Sequence, residues 1–311
     1  MKILVTGALG HIGSKLIRVL AQYDDIQLIA LDNLSSQRYC SLFNLNSRNK
    51  IKFIHKSVMN ISRDFLLAEK IDLVVHLAAI TDAASSFSKK EELFENNLNS
   101  TKYLSTLLSQ LEIPIIFASS TSVYGSASEV VNEDNIYINP QSPYAESKIL
   151  EENALISAAD NGLHFTILRF GTIVGFSPGM RFHTAVNKFF FQALTDEKLT
   201  VWRTALHQVR PYLGINDCIE SILFAVKLHE EKMNKGIFNV VTINATVNEV
   251  IDEISKVLNK KVMMEFVEHE IMNQLSYEVS CNKIKTLGFE FHDNLQNLLK
   301  EKKVNFEGII E

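Results

Sequence analysis

Short apolar runs alternate with longer amphipathic stretches through the first half of the chain. The runs KILVT (2–6), IQLIAL (26–31), IKFIH (51–55), LVVHLA (73–78), IPIIFAS (113–119) and HFTILRF (164–170) are rich in Val, Ile, Leu and Phe. Most lack polar alternation, which is the pattern of strands covered on both faces. Segments of helical length at 12–23, 62–70, 91–111 and 144–160 lie between them. Strand and helix in turn predict an α/β fold with a doubly wound parallel sheet and right-handed crossovers. After residue 170 the rhythm breaks at GTIVGFSPGMRF, and helices with a few short strands follow. The expected division is a sheet domain over 1–170, with additions from later segments, and mainly a smaller lobe over 171–311. That lobe is expected at the C-terminal edge of the sheet, where open α/β sheets bind ligands.

Charge and composition narrow the function classes. A net charge of −5 gives no overall basic footprint for nucleic acid. The basic cluster KEKK (300–303) reads as solvated helix surface. No uninterrupted apolar run approaches the ~18 residues of a membrane span, and MKILVTG is too short an apolar run for a signal peptide. Cys40, Cys218 and Cys281 are odd in number and far apart. They imply a reducing, cytoplasmic setting and no disulfide framework or metal site.

Candidate chemistry begins after the first strand. TGALGHIGS (6–14) places Gly7, Gly10 and Gly13 where a strand turns into a helix. Such glycines let backbone approach a pyrophosphate, and the helix N-terminus offers free N–H groups to the anion. Asp32 ends the second strand about twenty residues later, where an acid accepts ribose hydroxyls. A carboxylate there repels a 2′-phosphate, so NAD is favoured over NADP; Arg38 is the one nearby cation that argues the other way.

PYAESK (143–148) puts Tyr144 one helical turn before Lys148, on a shared face. By itself this is an amphipathic helix carrying a tyrosine and a lysine. With ASSTSVYG (118–125) upstream and the glycine turn, the chain resembles the extended short-chain dehydrogenase/reductase family of nucleotide-sugar epimerases, dehydratases and reductases. HLAA (76–79), NNLNST (96–101), LRFGTIVG (168–175) and VRPYLGIND (209–217) extend the resemblance over nearly the whole chain. LDNLSS (31–36) and NNLNST are most similar to its UDP-galactose 4-epimerase-like members.

The resemblance implies a Rossmann domain, NAD as cofactor and a nucleotide-diphosphate sugar as substrate. Tyr144 would be the general base, Lys148 would tune it and hold the nicotinamide ribose, and Ser120 would hydrogen-bond the reacting oxygen. The chemistry agrees: a free tyrosine, with a pKa of about 10, is a poor base, and a nearby ammonium favours the phenolate. Cofactor contacts are implied for Gly7, Gly10, His11, Ile12, Gly13, Asp32, Asn33, Ser57, Val58, Leu77, Ala78, Ala79 and Asn97, besides Tyr144 and Lys148. Substrate contacts are implied for Thr81, Ser120, Thr121, Arg181, Asn187 and Arg210. Arginine suits a diphosphate through its planar fork of donors.

The chain departs from its relatives at named positions. Ser57 stands where an adenine-holding Asp is usual. Thr121 and Ser122 replace the Asp and Glu of dehydratases, which argues against carboxylate-assisted dehydration. Thr172 and Pro211 replace a usual Asn and Asp in the substrate half. For Arg181 and Lys188 a solvated surface role is an equal reading, and for Trp202 and His207 core packing is the better one. Helix 91–111 carries an apolar stripe of Leu93, Phe94, Leu98, Thr101, Leu104, Leu108 and Leu111. In relatives this helix and helix 144–160 pair with their copies, so a homodimer is expected; the other reading is that the stripe faces its own sheet. The leading functional expectation is a 4-epimerase. The alternatives are a 4-keto reductase or dehydratase, and a non-catalytic dinucleotide-binding sensor or scaffold.

Overall fold

The computed structural model describes residues 1–45, 51–81, 85–135, 138–182, 184–231, 236–267 and 276–306. In the first half, β1 (Lys2–Thr6), α1 (His11–Leu20), β2 (Gln27–Asp32), β3 (Ile51–His55), α2 (Arg63–Glu69) and β4 (Leu73–His76) follow one another. Then come α3 (Lys90–Ser109), β5 (Ile115–Ser120), α4 (Pro143–Ala159) and β6 (Phe165–Phe170). Local chemistry sets the helix ends. The Ser62 and Ser142 side chains cap α2 and α4, accepting from Phe65 N and Ala145 N, and Pro143 occupies the first turn of α4.

The second half contributes β7 (Thr172–Val174), α5 (Ala185–Leu194), β8 (Leu199–Trp202), β9 (Val209–Gly214), α6 (Ile215–Glu230) and β10 (Gly236–Val240). It ends with β11 (Ile243–Thr246), α7 (Val247–Leu258), β12 (Met264–Val267), α8 (Asn282–Thr286) and α9 (Leu295–Asn305). The main sheet has seven parallel strands in the order β10-β6-β5-β4-β1-β2-β3. The strand order reverses between β1 and β4, so their C-terminal ends open a crevice. The other strands form a three-stranded sheet, β11-β9-β7, and a parallel pair, β12-β8.

Both faces of the main sheet are covered, as the unbroken apolar strands require. One face packs against Leu16, Ile17 and Leu20 of α1 and Ile219, Ile222 and Val226 of α6. The other packs against Leu66 of α2, Leu104 and Leu108 of α3 and Leu155 of α4. A third core joins Phe189 and Phe190 of α5, Val250 and Ile254 of α7 and Leu298 of α9. The main sheet thus draws β10 and α6 from the later part of the chain.

Two sequence readings change. The α3 stripe points inward: Leu93, Leu104 and Leu108 are fully buried and Leu98 is 9 % exposed. These residues pack within their own chain, while Phe94 and Leu111 of the same stripe are only partly buried. Lys302 of the KEKK cluster is not surface. It is fully buried, bonded to Asn187 Oδ1, and lies 5.6 Å from the Phe190 ring centroid. Burial brings its pKa down to about 7.

The buried face of α4 is tied to the sheet by charge. Arg169 of β6 donates to Glu152 through Nε at 3.0 Å and Nη2 at 2.6 Å, and Ser119 of β5 also donates to Glu152. Both ionic side chains are 4 % exposed. Removing one partner of such a pair leaves a buried charge uncompensated. Glu152→Gln is therefore expected to lower the unfolding free energy by about 3–5 kcal/mol in urea titrations.

Candidate active site

The crevice at the β1–β4 switch is built on close backbone approach. Gly7 turns the chain at φ +66°, and a Cβ there would stand 2.6 Å from Ala78 N. A Cβ on Gly13 would stand 2.3 Å from the Gly7 carbonyl oxygen. Gly10 caps α1 with no side-chain hydrogen bond, and the first turn of α1 holds no acid. The first N–H groups of α1 therefore face the cleft uncapped, which suits a pyrophosphate. His11 is buried, and its Nε2 donates to the Gly175 carbonyl at 3.1 Å. Burial brings its pKa down to about 3, helped by the charges of Lys302, Arg181 and Arg38, so the ring is neutral. It fastens the start of α1 to the segment after β7.

Asp32 ends β2. Its Oδ2 accepts from Leu9 N at 3.0 Å and its Oδ1 from Leu34 N at 2.9 Å. Each oxygen keeps a further lone pair for a ribose hydroxyl. Next to it, Asn33 Oδ1 accepts from Ser35 N at 3.0 Å. Arg38 lies close enough to feel the Asp32 charge, while burial holds its pKa below the ordinary arginine value. Ser57 caps a short 3₁₀ turn through Met59 N at 3.4 Å, and Val58 is buried in the core.

The loop after β4 forms one wall of the crevice. Ala78 N donates to Thr6 Oγ1 at 3.3 Å. Asn97, fully buried on α3, clamps Ile80 by accepting from its N at 2.8 Å and donating to its carbonyl at 2.9 Å. Asn97 thus shapes the wall from behind, while Leu77, Ala79 and Thr81 line it.

A cleft of about 720 Å³ runs from the glycine turn to the second half of the chain. Gly7, Gly10, His11, Ile12, Gly13, Ser120, Thr121, Tyr144, Lys148, Arg181 and Arg210 all line it. Lys148 Nζ lies 6.0 Å from the Tyr144 ring centroid and donates to the Ala118 carbonyl at 3.1 Å. Ser120 ends β5 and caps the turn 121–124, accepting from Ser122 N at 3.2 Å. The structure thus brings the phosphate-binding turn and the Ser, Tyr and Lys of the sequence motifs onto one cavity.

Residues 3–240 match the NAD dependent epimerase/dehydratase family. The chain belongs to this family. Its architecture is similar to that of the Bacillus cereus UDP-glucuronic acid 4-epimerase in complex with UDP-glucuronic acid and NAD. That match has a TM-score of 0.89 at 26 % identity, covering 98 % of this chain and 100 % of the other. An uncharacterised UDP-glucose epimerase of Bacillus subtilis is 30 % identical over 277 residues, 86 % of this chain and 85 % of its own. Three trifunctional UDP-glucose 4,6-dehydratase/epimerase/reductase proteins of Arabidopsis thaliana are 28–29 % identical over 96 % of this chain. The chain spans about half the length of those relatives, 46 %.

The cleft also carries cations. Arg181, Lys188 and Arg210 line it with Trp202, Tyr212 and Tyr277. Among the described residues, no carboxylate lines the cavity. Arg210 Nη2 donates to Gln208 Oε1 at 2.8 Å, its Nε is buried without a partner, and burial lowers its pKa. Lys188 Nζ donates to Thr200 Oγ1 at 2.5 Å, and Trp202 is half-buried on the cleft wall. His207 is exposed and away from the lining. Asn187 is buried behind the wall, holding Lys302 and donating to the Arg181 carbonyl at 2.9 Å.

Sequence reasoning did not single out Tyr277. It reaches the cleft because Tyr277 N pairs with the Val209 carbonyl, and its Oη lies 3.3 Å from Thr121 Oγ1. No spacing signal links 277 to 121, since only the fold joins them. Ser122 and Thr184 also line the cleft, with buried hydroxyls that have no hydrogen-bond partner among the described residues, suited to meet ligand oxygens. At the cofactor end, wild-type protein is expected to bind NAD more tightly than NADP in calorimetric titrations. Asp32→Ala should narrow that gap, since it removes the ribose acceptor and the repulsion of a 2′-phosphate together.

Proposed function

We propose that this protein is an NAD-dependent 4-epimerase of a nucleotide-diphosphate sugar, of the uridine diphosphate class. The observation that carries the reading is the composition of this cleft. Ser120, Tyr144 and Lys148, the uncapped α1 N-terminus, and Arg181, Lys188 and Arg210 all line it. A substrate with a diphosphate meets three cations and no opposing carboxylate among the described lining residues. The named epimerases among its relatives support the same substrate class.

Bound NAD would supply a hydride acceptor and donor at the sugar carbon, held by the glycine turn, Asp32 and Lys148. The chain's own residues handle the proton. Tyr144 Oη removes it from the C4 hydroxyl as the hydride leaves and restores it after the 4-keto sugar has turned. The Lys148 ammonium lies 6.0 Å from the Tyr144 ring centroid, one helical turn further along the same wall. Ser120 Oγ hydrogen-bonds the reacting oxygen, whose negative charge grows in the transition state. Thr121 and Ser122 have no acid–base capacity near neutral pH, which favours redox at one carbon over dehydration.

Labour divides along the chain: residues 1–170 hold the cofactor, and 171–311 mainly hold the sugar nucleotide. Three free cysteines suit a reducing cytoplasm. Among the described residues, no helix is long and apolar enough to cross a membrane. A homodimer forms through the outer faces of α3 and α4, where Leu150 and Ile156 are 41 % and 42 % exposed beside a groove lined by Lys102, Thr106 and Asn153. Leu150→Glu is expected to shift sedimentation from dimer to monomer at micromolar concentration; a wild-type monomer would refute this interface.

The activity test supplies NAD far below substrate and follows the UDP-sugar by proton NMR. Conversion to the C4 epimer with no net change in reduced-cofactor absorbance is the expected result. Stoichiometric consumption of reduced cofactor with a keto-sugar would instead establish a 4-keto reductase. Tyr144→Phe should keep fold and NAD binding while turnover falls by about 10²–10⁴. Near-normal turnover in that variant would sink the role given to Tyr144.

A further inference from the structure

Lys148 has a buried counter-charge on its own helix. Glu151, fully buried on α4, accepts at Oε2 from Lys148 Nζ at 3.2 Å and from Thr101 Oγ1 at 3.0 Å. Its Oε1 lies 3.1 Å from Ser147 Oγ, which is equally close to the Tyr144 carbonyl. Behind Thr101 the hydrogen bonds continue. His76 Nε2 is 3.3 Å from Thr101 Oγ1, Thr6 Oγ1 is 2.7 Å from His76 Nδ1, and Ala78 N is 3.3 Å from Thr6 Oγ1.

Proton counting gives this row one direction. Opposite the Lys148 ammonium, Glu151 only accepts, so Thr101 gives it its proton and must itself accept from His76 Nε2; Nδ1 of the neutral ring then accepts from Thr6 Oγ1, which accepts the Ala78 N–H. Burial, and then the Lys148 charge, bring the His76 pKa down to about 3, so the ring is neutral with its proton on Nε2. That proton goes to Thr101, and the Thr101 proton goes to Glu151. All the donors therefore point at one carboxylate, which is the acceptor-only form that can end such a row.

The surroundings of Lys148 leave Glu151 as its counter-charge. β4 offers neutral His76, β5 the Ala118 carbonyl and the Phe117 ring at 4.5 Å, and α3 the Thr101 hydroxyl. Glu152, the next carboxylate, is engaged by Arg169 and Ser119 instead. A buried ammonium is strongly disfavoured without an opposite charge. Of the three donors on Lys148 Nζ, the Ala118 carbonyl and Glu151 take two. One remains for the cleft that Lys148 lines.

We propose that Glu151 is a positioning residue for cofactor binding and turnover. It seats the Lys148 ammonium in the cleft wall and, through Thr101, His76 and Thr6, ties that seat to the loop after β4. The inference rests on the reading of Lys148 as the group that holds the nicotinamide ribose. It needs no assumption about which sugar is bound.

The test is calorimetric NAD titration of the wild type, Glu151→Gln, Lys148→Met and the double variant, with thermal melts to check folding. Each single variant is expected to weaken NAD binding by about tenfold or more. The double variant should be no weaker than the worse single, because both changes remove one contact. Glu151→Asp keeps the charge and should recover most of the affinity, which a purely steric role would not produce. NAD affinity within twofold of wild type in Glu151→Gln, or losses that multiply in the double variant, would overturn the proposal. Should Glu151→Gln not fold, Thr101→Val cuts the same row one link back, and unchanged NAD affinity there would overturn it equally. These readings use no sugar nucleotide, so failure of epimerisation leaves them standing. Wild-type NAD affinity in Lys148→Met would remove both the inference and the role of Lys148.

Discussion

The close approach of β1 and β4 at their C-terminal ends is the constraint on which the site depends. Thr6 pairs with His76, and at the next residue the chain must turn so close to the loop after β4 that a Cβ on Gly7 would stand 2.6 Å from Ala78 N. Only a residue without a Cβ fits, and the positive φ of Gly7 adds a second reason. From that point α1 leaves with its N–H groups uncapped, and the loop after β4 leaves in another direction. The crevice between them is a consequence of strand order, because neighbouring connections run to opposite faces there. Gly179, packed so that a Cβ would stand 2.3 Å from the Leu9 carbonyl oxygen, closes the later segment over the same turn.

A second dependence runs through α4. Its inner face carries Ser147, Lys148, Glu151 and Glu152, all buried. Glu152 anchors the helix to β5 and β6 through Ser119 and Arg169, and Glu151 holds Lys148 and reaches Thr101 on α3. Fixing a helix by paired charges gives a single rotational setting, where an apolar face tolerates sliding. That setting places Tyr144 and Lys148 on the cleft wall. Buried charges of this kind add little net stability, but each partner becomes indispensable once the other is buried.

The substrate half follows different physics. Its cations come from separate elements: Arg181 from the segment after β7, Lys188 from α5 and Arg210 from β9. Among the described residues, no carboxylate lines the cavity beside them. The third core, of α5, α7 and α9, holds these elements together. Lys302 lies within this region, bonded to Asn187, which in turn holds the Arg181 carbonyl.

The sequence by itself determined the sheet, its parallel sense, the glycine turn and the Tyr144–Lys148 pair. Strands covered on both faces are apolar throughout, and a one-turn spacing survives any packing; the predicted strand and helix bounds fall within three residues of those observed. Motif order added the family, since no single spacing among Gly7, Asp32, Ser120 and Tyr144 is specific alone. What pattern reading could not assign were the places where polar residues turn inward. Lys302 reads as solvated surface, because periodicity equates polarity with water, and no pattern singles out the buried Glu151 and Glu152 of α4. Asn187 and Tyr277 likewise owe their positions to contacts across more than a hundred residues, Asn187 with Lys302 and Tyr277 with Thr121. Those decisions belong to tertiary structure alone: a charge is buried only where another element brings its partner, and no local stretch of sequence contains both.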